Sequence, residues 1–425
     1  MTIRVEIIAT GSELLHNKTK NTTTPFLVNQ LIGLGYEIKR ISTVDDGIEE
    51  ITGAVCEALR RADLILLTGG LGATPDDVTR EAVAEALSMP MEFRSDLWEE
   101  IQQYFDKRDL STTPINMKQA YLPCGAYALH NPLGTAPGIL IPYDEDVTIV
   151  VLPGPPGETR EMFLHEVKPY LIKHYPPPAS HKVCTFKICG CGETVVCERI
   201  KDVIREARES GIKCSFLSGP DEVQLILELS DPGDDNDNNE LLKKLGDQIQ
   251  TLLGPDLYGV NEETLMGKVG EMLIEKGFTV GVAESCTGGL VASYLTDVPG
   301  SSGYVRGGVV AYSSEAKEKV LGVSPDVLKD YGAVSPETAK EMARGVRELM
   351  NTSIGLSTTG LAGPQGGEPE IPVGTVYLGL STSEGEELVR KIYYPKVGRL
   401  TLKTIAAKRA LDFLRRYLIN SSGVD

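Results

Sequence analysis

A serine inside a glycine-rich run is the residue of this sequence best placed for chemistry. Ser285 lies in Ala283–Gly289 (AESCTGG), between a strand predicted over 278–284 and a helix predicted to begin near Gly288. At a strand-to-helix turn a hydroxyl is exposed and the following backbone amides point outward, so they can stabilise a developing oxyanion. Ser285 is therefore a candidate nucleophile, with a structural helix N-cap as its alternative role.

A nucleophilic serine needs a base, and here the base is not histidine. All five histidines precede residue 182, which excludes a Ser-His-Asp triad within the last part of the chain. The run Val309–Lys317 instead offers Tyr312 at the end of a predicted strand and Lys317 in the first turn of the next helix. A cation at a helix N-terminus opposes the macrodipole, which lowers the pKa of the amine. Lys317 is thus a candidate base for serine–lysine chemistry, and a solvated surface lysine is the alternative.

Two later segments could bind the rest of a substrate. Gly360–Gly367 directly follows a strand predicted over 353–358, so its backbone amides can approach a phosphate or ribose. A flexible hairpin is the alternative reading. Gly398 and Arg399 open the last predicted helix, where a guanidinium can bind phosphate in a bidentate manner.

A second candidate site lies near the N-terminus. The strand predicted over 64–68 ends in a glycine-rich turn that contains Gly69, Gly70 and Gly72. Thr74 is the predicted N-cap of the next helix and Pro75 its first residue, so that Asp76 and Asp77 complement the positive helix end. Glycines at the carboxyl edge of such a sheet are also where α/β folds place phosphate ligands.

Carboxylates from two loops are expected to meet at that edge. Asp45 and Asp46 follow the strand predicted over 37–44, as Asp76 and Asp77 follow the glycine turn. Converging carboxylates can hold Mg²⁺ against a pyrophosphate, because that ion takes few protein ligands and keeps its waters. Stabilisation of a helix start is the alternative role of Asp76 and Asp77.

These sites require two α/β folds to position them. Apolar strand-like runs alternate with helical patterns before a proline-rich connector at 175–181, and the alternation resumes at residue 263. The intervening segment, 183–257, has a small α+β pattern. We therefore predict an α/β fold class, with two three-layer α/β domains at 1–175 and 258–425 and a small α+β domain between them.

The predicted elements are as follows. In the first domain the strands cover 4–10, 37–44, 64–68 and 147–152. In the middle segment they are strand 183–188, helix 193–209, strand 223–229 and helix 239–252. In the last domain they are helices 263–276, 288–297, 314–321, 335–350 and one from 399, with strands 278–284, 307–312, 353–358, 373–381 and 387–394.

The N-terminal motifs resemble those of the CinA (competence/damage-inducible) family. The resemblance rests on Ala9–Glu13, Gly69–Thr79, Asn131–Gly138 and Leu152–Pro156. It implies a molybdopterin-binding-like fold for 1–175 and a metal-dependent hydrolysis of ADP-ribose there, with Mg²⁺ as the expected ion and the glycine turn as a substrate contact. By motif match the family's acidic, metal-binding residues fall on Asp46 and Asp77.

The C-terminal resemblance to the same family is stronger. Five runs match in order and spacing: Ala283–Gly289, Gly308–Tyr312, Gly332–Ser335, Gly360–Pro364 and Pro372–Val376. They look like the family's nicotinamide-nucleotide amidase, which converts nicotinamide mononucleotide to nicotinate mononucleotide and ammonia without a cofactor. The middle segment is similar to the family's KH-like linker domain.

Residue roles follow from that resemblance. By motif match Ser285 is the nucleophile, Lys317 activates it, and Tyr312 relays or donates a proton. Gly363 and Arg399 are expected to contact the ribose and phosphate of the nucleotide. The oxyanion hole is expected to comprise the amides of Thr287, Gly288 and Gly289.

Composition limits the classes of partner. The 425 residues carry 42 Lys+Arg against 60 Asp+Glu, a formal charge of −18, which argues against direct nucleic-acid binding. No run approaches the roughly 18 apolar residues of a membrane span, and the N-terminus lacks a signal-peptide pattern, so we expect a cytoplasmic protein. Pairing is common among soluble enzymes, so we expect a homodimer.

Two classes of function remain open. The first is an enzyme, a nicotinamide-nucleotide amidase with a second ADP-ribose pyrophosphatase activity. The second is a non-catalytic nucleotide- or pterin-binding partner protein in DNA uptake or repair. Release of ammonia from nicotinamide mononucleotide separates the two.

Overall fold

The chain folds into two compact units. A computed structural model describes residues 3–144, 147–176, 181–230, 235–366 and 371–421. The first unit comprises the residues up to Lys182 together with Leu229–Asp235, and the second comprises Val183–Glu228 and the residues from Asn236 onward. No helix within the described residues combines the length and apolar character that crossing a membrane requires.

The first unit is built on a six-stranded mixed sheet. Its strand order is β2-β1-β3-β8-β7-β6. Strands β2, β1, β3 and β8 are parallel to one another, β7 is antiparallel to β8, and β6 is antiparallel to β7. The strands are β1 (Arg4–Thr10), β2 (Glu37–Val44), β3 (Leu64–Thr68), β4 (Met91–Phe93), β5 (Tyr121–Pro123), β6 (Tyr127–Leu129), β7 (Gly138–Pro142) and β8 (Thr148–Leu152), of which β4 and β5 form a separate pair. The four parallel strands are the four that the sequence predicts.

Helices cover both faces of this sheet. They are α1 (Ser12–Leu15), α2 (Thr23–Gly33), α3 (Ile48–Ala58), α4 (Thr79–Ala86), α5 (Ser95–Asp106), α6 (Pro156–Met162) and α7 (Lys168–His174), with a 3₁₀ helix at Pro114–Ala120 and a π-helical turn at Phe163–Val167. Ile65 and Leu67 of β3 pack toward α3, α4 and α5, whereas Leu64 and Leu66 pack toward α2 and α7. Alternate side chains of a strand point to opposite faces, so this buried strand supplies both cores of a three-layer unit.

The second unit contains a four-stranded sheet and a five-stranded sheet. The first sheet has the order β10-β11-β9-β12 and comprises β9 (His181–Cys189), β10 (Lys213–Gly219), β11 (Glu222–Ser230) and β12 (Leu257–Val260). Its helices are α8 (Glu193–Arg199), α9 (Lys201–Glu209) and α10 (Asp235–Leu253). Strand β12 spans residue 257, where the sequence divides the middle segment from the last domain.

The five-stranded sheet carries the candidate serine. Its order is β14-β13-β15-β16-β17. Strands β14, β13 and β15 are parallel to one another, β16 is antiparallel to β15, and β17 is antiparallel to β16. The strands are β13 (Val280–Glu284), β14 (Val305–Val310), β15 (Ile354–Gly360), β16 (Thr375–Thr382) and β17 (Glu387–Tyr393). The helices are α11 (Leu265–Glu275), α12 (Leu290–Thr296), α13 (Ser314–Leu321), α14 (Pro325–Asp330), α15 (Pro336–Leu349) and α16 (Arg399–Asn420). Helices α11, α12 and α16 pack on one face and α13 and α15 on the other, which makes this part three-layered.

Helix α15 packs against its neighbours at backbone distance. A Cβ added at Gly355 of β15 would lie 1.9 Å from the carbonyl oxygen of Ala343 in α15. A Cβ added at Gly345 of α15 would lie 1.9 Å from the carbonyl oxygen of Leu321, the last residue of α13. These glycines therefore set how closely α13, the helix that carries Lys317, approaches the sheet.

Helix α16 is tied to the middle segment by ion pairs. Lys408 pairs with Glu222 at 2.6 Å, and Arg409 pairs with Asp221 at 2.7 Å. Arg416 pairs with Asp256 at 2.6 Å and also with the fully buried Asp412 of its own helix. The second half of α16 thus has its charges matched by acidic partners.

Some local predictions need correction. The helix expected over 193–209 is two helices, α8 and α9, separated at Ile200. The sequence also missed β10, β12, α14 and the short strands β4 to β7. The helix expected to begin at Pro75 begins at Thr79, as described below.

Replacing Gly345 of α15 by alanine should destabilise the protein, which is the opposite of the usual effect of this substitution in a helix. Replacing a helical glycine by alanine ordinarily stabilises a protein by about 0.5–1 kcal/mol. Gly345→Ala should instead lower the free energy of unfolding by about 1–3 kcal/mol, because the methyl group collides with Leu321 and must displace α13. Urea unfolding of the full chain measures the change.

Gly246→Ala in α10 is the matched control. There the nearest atom to an added Cβ is on the ring of Phe186 at 3.4 Å, an ordinary contact distance. This variant should be as stable as the parent or more so. Stabilisation by both substitutions would show that α13 and α15 are not in tight contact at Gly345.

Candidate active sites

The structure brings Ser285 and Lys317 together. Ser285 follows the last residue of β13, and its backbone N–H donates to the carbonyl oxygen of Thr358 on β15 at 2.9 Å. The Nζ atom of Lys317 lies 3.1 Å from Ser285 Oγ and 3.1 Å from the carbonyl oxygen of Ala311. The candidate nucleophile and the candidate base are therefore within hydrogen-bonding distance, on two elements that the core holds in place.

Lys317 is not a surface lysine. Its side chain is only 2% exposed, and burial lowers the pKa of its ammonium against a smaller opposing effect of Cys286. The sequence predicted a lowered pKa from the helix macrodipole, whereas removal from water is the leading cause in the structure. A lysine with a lowered pKa holds more free amine at neutral pH, which is the form that can accept a proton.

Ser285 is not a helix cap. Helix α12 begins at Leu290, two residues later than predicted, and its N-cap is Gly289 with φ +97°. Helix α13 has its own cap, since Ser313 Oγ accepts a hydrogen bond from the N–H of Ala316 at 3.1 Å. The hydroxyl of Ser285 is thus left for its contact with Lys317.

Glu284 is a site residue that the sequence did not reveal. Its carboxylate is 1% exposed and accepts hydrogen bonds from the N–H groups of Gly289, Val291 and Ala292 at 2.9, 3.1 and 2.8 Å. A buried carboxylate is stabilised by such donors at a helix N-terminus. A glutamate that ends a buried strand just before a helix is the signal that could have predicted this contact.

The contact with Glu284 changes the expected oxyanion hole. The N–H of Gly289 is already bonded to Glu284, so this amide is not available to an oxyanion. Within the described part of the chain, the N–H groups of Thr287 and Gly288 have no hydrogen-bond partner. Thr287 Oγ1 lies 2.6 Å from Thr358 Oγ1, which fixes the turn to β15.

The neighbouring thiol does not compete with Ser285. Cys286 is 5% exposed, and burial raises the pKa of its thiol to about 12. The thiolate is the nucleophilic form of cysteine, and at neutral pH it is essentially absent here.

The predicted binding residues form a separate cluster. Arg399 opens α16, and its guanidinium donates to the carbonyl oxygen of Gly363 at 2.8 Å and to the hydroxyl of Tyr312 at 2.7 Å. Tyr312 is 63% exposed, and its hydroxyl bonds Arg399 rather than Ser285 or Lys317. The structure thus groups Tyr312 with Gly363 and Arg399, and the last glycine of the predicted loop, Gly367, lies outside the described residues.

In the first unit, Asp46 and Asp77 line one cavity of about 660 Å³. Asp46 Oδ2 accepts a hydrogen bond from the N–H of Ser12 at 2.9 Å, and Asp77 Oδ2 accepts one from the N–H of Thr74 at 2.9 Å. The glycine turn lines the same cavity, through Gly69, Gly70 and Gly72. Asp45 does not join them, because it lines a different cavity.

The glycine turn needs its glycines. Gly70 has φ +66°, and a Cβ there would lie 2.0 Å from Thr79 Oγ1. A Cβ at Gly72 would lie 2.3 Å from Asp77 Oδ2, so the carboxylate occupies the place of a side chain. Asp77 closes a turn with Thr74 instead of capping a helix, which explains why α4 begins only at Thr79.

A buried arginine beneath this turn was also missed. Arg80 is fully buried, and it donates to the carbonyl oxygens of Leu71 and Gly72 at 2.5 and 2.9 Å. These bonds hold the carbonyls inward. From the sequence, an arginine in the first turn of a helix indicates a solvated surface residue.

The two carboxylates fit a weakly held divalent cation. Each has one oxygen that accepts no hydrogen bond from the described residues. Mg²⁺ is commonly held by one or two carboxylates together with substrate phosphates and water. No group of three or more His, Cys, Asp or Glu side chains within the described ranges could form a complete metal cage. The donor set therefore suits an ion that is bound jointly with a phosphate ligand.

Comparisons with known proteins identify both units. Residues 262–418 match the model of the CinA C-terminal domain, and residues 6–173 match that of a probable molybdopterin binding domain. A putative competence-damage inducible protein of Halothermothrix orenii is 41% identical over 416 residues, which cover 97% of this chain and 98% of the relative. A CinA-like protein of Kosmotoga olearia is 41% identical over 420 residues, covering 98% of this chain and 99% of the relative.

A solved structure matches part of the chain. The competence/damage inducible protein CihA from Agrobacterium tumefaciens is 36% identical, covers 37% of this chain and 97% of its own, and has a TM-score of 0.35. The two relatives are each 41% identical to this chain over nearly its whole length. The chain therefore belongs to the CinA family of competence-damage inducible proteins.

Proposed function

We propose that the second unit is an amidase that converts nicotinamide mononucleotide to nicotinate mononucleotide and ammonia. The observation that carries the proposal is the buried amine of Lys317, 3.1 Å from Ser285 Oγ. A nucleophile beside a base of lowered pKa is the arrangement that covalent acyl transfer needs. The substrate itself comes from the resemblance of the surrounding motifs to the family's amidase.

The reaction proceeds through an acyl-enzyme. Neutral Lys317 accepts the hydroxyl proton as Ser285 Oγ attacks the carboxamide carbon, and the N–H groups of Thr287 and Gly288 stabilise the oxyanion. Lys317 returns the proton to the leaving nitrogen, the C–N bond breaks and ammonia departs. Water then attacks the ester with its proton passing to Lys317, and collapse of the intermediate returns that proton to Ser285 Oγ and releases the nicotinate product.

Removal of the hydroxyl should abolish the reaction. Ser285→Ala is expected to release no ammonia above background from nicotinamide mononucleotide in a single-turnover assay, because no acyl-enzyme can form. Ser293→Ala, an exposed serine in α12, is the control and should retain the parent rate. Near-normal ammonia release by Ser285→Ala would refute the covalent route.

Lys317 should control the pH dependence. The base form of an amine predominates above its pKa, so kcat/KM should rise with pH through a value below the roughly 10.4 of an ordinary lysine. Lys317→Met should lower kcat by about 10²–10⁴ and lose this ascending limb.

Lys319→Met is the matched control for the pH profile. Lys319 lies on the same helix, is exposed and pairs with Glu315. Its replacement should change neither the rate nor the profile. A pH profile of Lys317→Met with the parent's ascending limb would assign that limb to another group.

We infer a second activity, hydrolysis of ADP-ribose, for the first unit. The shared cavity of Asp46, Asp77 and the glycine turn favours it, because carboxylates and backbone amides are the groups that hold a metal-bound pyrophosphate. A divalent cation, when bound by the two carboxylates, supplies charge neutralisation for the phosphates. Arg80 holds the glycine turn in shape through the carbonyls of Leu71 and Gly72.

Loss of both carboxylates should remove this activity. The full-length chain with Asp46→Asn and Asp77→Asn should show at least a hundredfold slower Mg²⁺-dependent cleavage of ADP-ribose, measured by release of AMP, since both predicted metal ligands lose their charge. Asp45→Asn is the control, because Asp45 lies outside the cavity. Equal turnover by the double variant would remove these residues from the mechanism.

The non-catalytic alternative has a distinct outcome. A nucleotide- or pterin-binding partner protein would bind its ligand but release neither ammonia nor AMP. The two assays on the full-length chain therefore decide between an enzyme and a binding module.

A further inference from the structure

Lys403 is a cation at the Ser285 site that neither the motifs nor the resemblance pointed to. It lies on α16 four residues after Arg399, so the two side chains share one face of the helix. Its Nζ is 3.3 Å from the position that a Cβ on Gly288 would occupy. Gly288 is exposed and lies in the turn that follows Ser285. The ammonium of Lys403 is thus positioned over that turn.

The charge of Lys403 is uncompensated. Its Nζ makes no hydrogen bond or ion pair with any residue in the described ranges, and Arg399 bonds only the neutral oxygens of Gly363 and Tyr312. By contrast, Lys408, Arg409, Arg415 and Arg416 of the same helix all pair with acidic side chains. In a chain of net charge −18, two cations without a carboxylate partner at one end of a helix form a local site for an anion.

The carboxylate beneath the turn does not neutralise this pair. Glu284 is buried, and its oxygens are already bonded to three backbone N–H groups of α12. Its carboxylate therefore binds the N-terminus of α12 and does not lie on the exposed side of the turn, where Lys403 is.

We propose that Lys403 and Arg399 together bind the phosphate of the substrate, and that Lys403 makes the site selective for a nucleotide over the corresponding nucleoside. The inference rests on the proposed amidase function and adds a specificity-determining residue to it. A planar guanidinium and a point-charge ammonium are the side chains that bind a phosphate dianion most strongly. With the phosphate bound at α16, the carboxamide at the other end of the substrate can extend to Ser285.

Steady-state kinetics of the full-length protein test this assignment. Nicotinamide mononucleotide and nicotinamide riboside differ only in the phosphate. For Lys403→Met we expect KM for the nucleotide to rise about 10- to 100-fold with kcat within about threefold of the parent, and kcat/KM for the riboside to stay unchanged. Lys403→Arg keeps the charge and should recover most of the affinity.

Two kinetic outcomes would overturn the proposal. An equal fall in kcat for both substrates would place Lys403 at the oxyanion instead of the phosphate. Unchanged kinetics for the nucleotide would show that Lys403 does not touch the substrate.

A binding measurement separates this proposal from the amidase proposal. Calorimetry of Ser285→Ala should show that nicotinate mononucleotide binds more tightly than nicotinate riboside, and that adding Lys403→Met removes most of the difference. Loss of that difference in a chain whose parent releases no ammonia would support the phosphate site and refute the amidase. If the parent releases ammonia but Ser285→Ala binds the nucleotide and the riboside equally tightly, the amidase proposal is supported and the phosphate site is refuted.

Discussion

A buried amine whose hydrogen-bond partners among the described residues are all uncharged is the constraint on which the second unit depends. An ammonium removed from water without a carboxylate partner is costly, and the cost is avoided when the group gives up its proton. Lys317 contacts a serine hydroxyl and a backbone carbonyl, and neither compensates a full charge. Its position is enforced from outside the site, since the glycine contact between α15 and α13 leaves the helix no room to withdraw.

The charges around Ser285 are arranged in layers. Below the turn, Glu284 satisfies the N-terminus of α12, and in doing so it occupies one of the amides that would otherwise face a substrate. Above the turn lies Lys403, on the same helix as Arg399, and neither cation has an acidic partner within the part of the chain that the structure describes. A buried amine of lowered pKa, a hydrogen-bonded carboxylate and cations without an acidic partner among the described residues can lie near one another because each is held by a different element: α13, β13 and α16.

Sequence patterns were informative where burial is regular. Strands β3 and β8 of the first unit are fully buried and almost wholly apolar, and they were predicted closely. The absence of histidine after residue 181 directed attention to Lys317. The patterns could not show that Arg80 is buried, because a charged residue is buried only through tertiary contacts. They also missed that the N–H of Thr74 donates to Asp77. Thr74 is therefore not the N-cap of α4, and the helix begins at Thr79.

Helix α16 has two groups of charged side chains, one at the Ser285 site and one at the middle segment. Each residue of an α-helix turns the chain by about 100°, so an insertion or deletion between Lys403 and Lys408 would rotate one group away from its place while the other stayed. The length of this stretch is thus constrained independently of its composition. Substitutions there can be absorbed by repacking, but a change in residue number cannot.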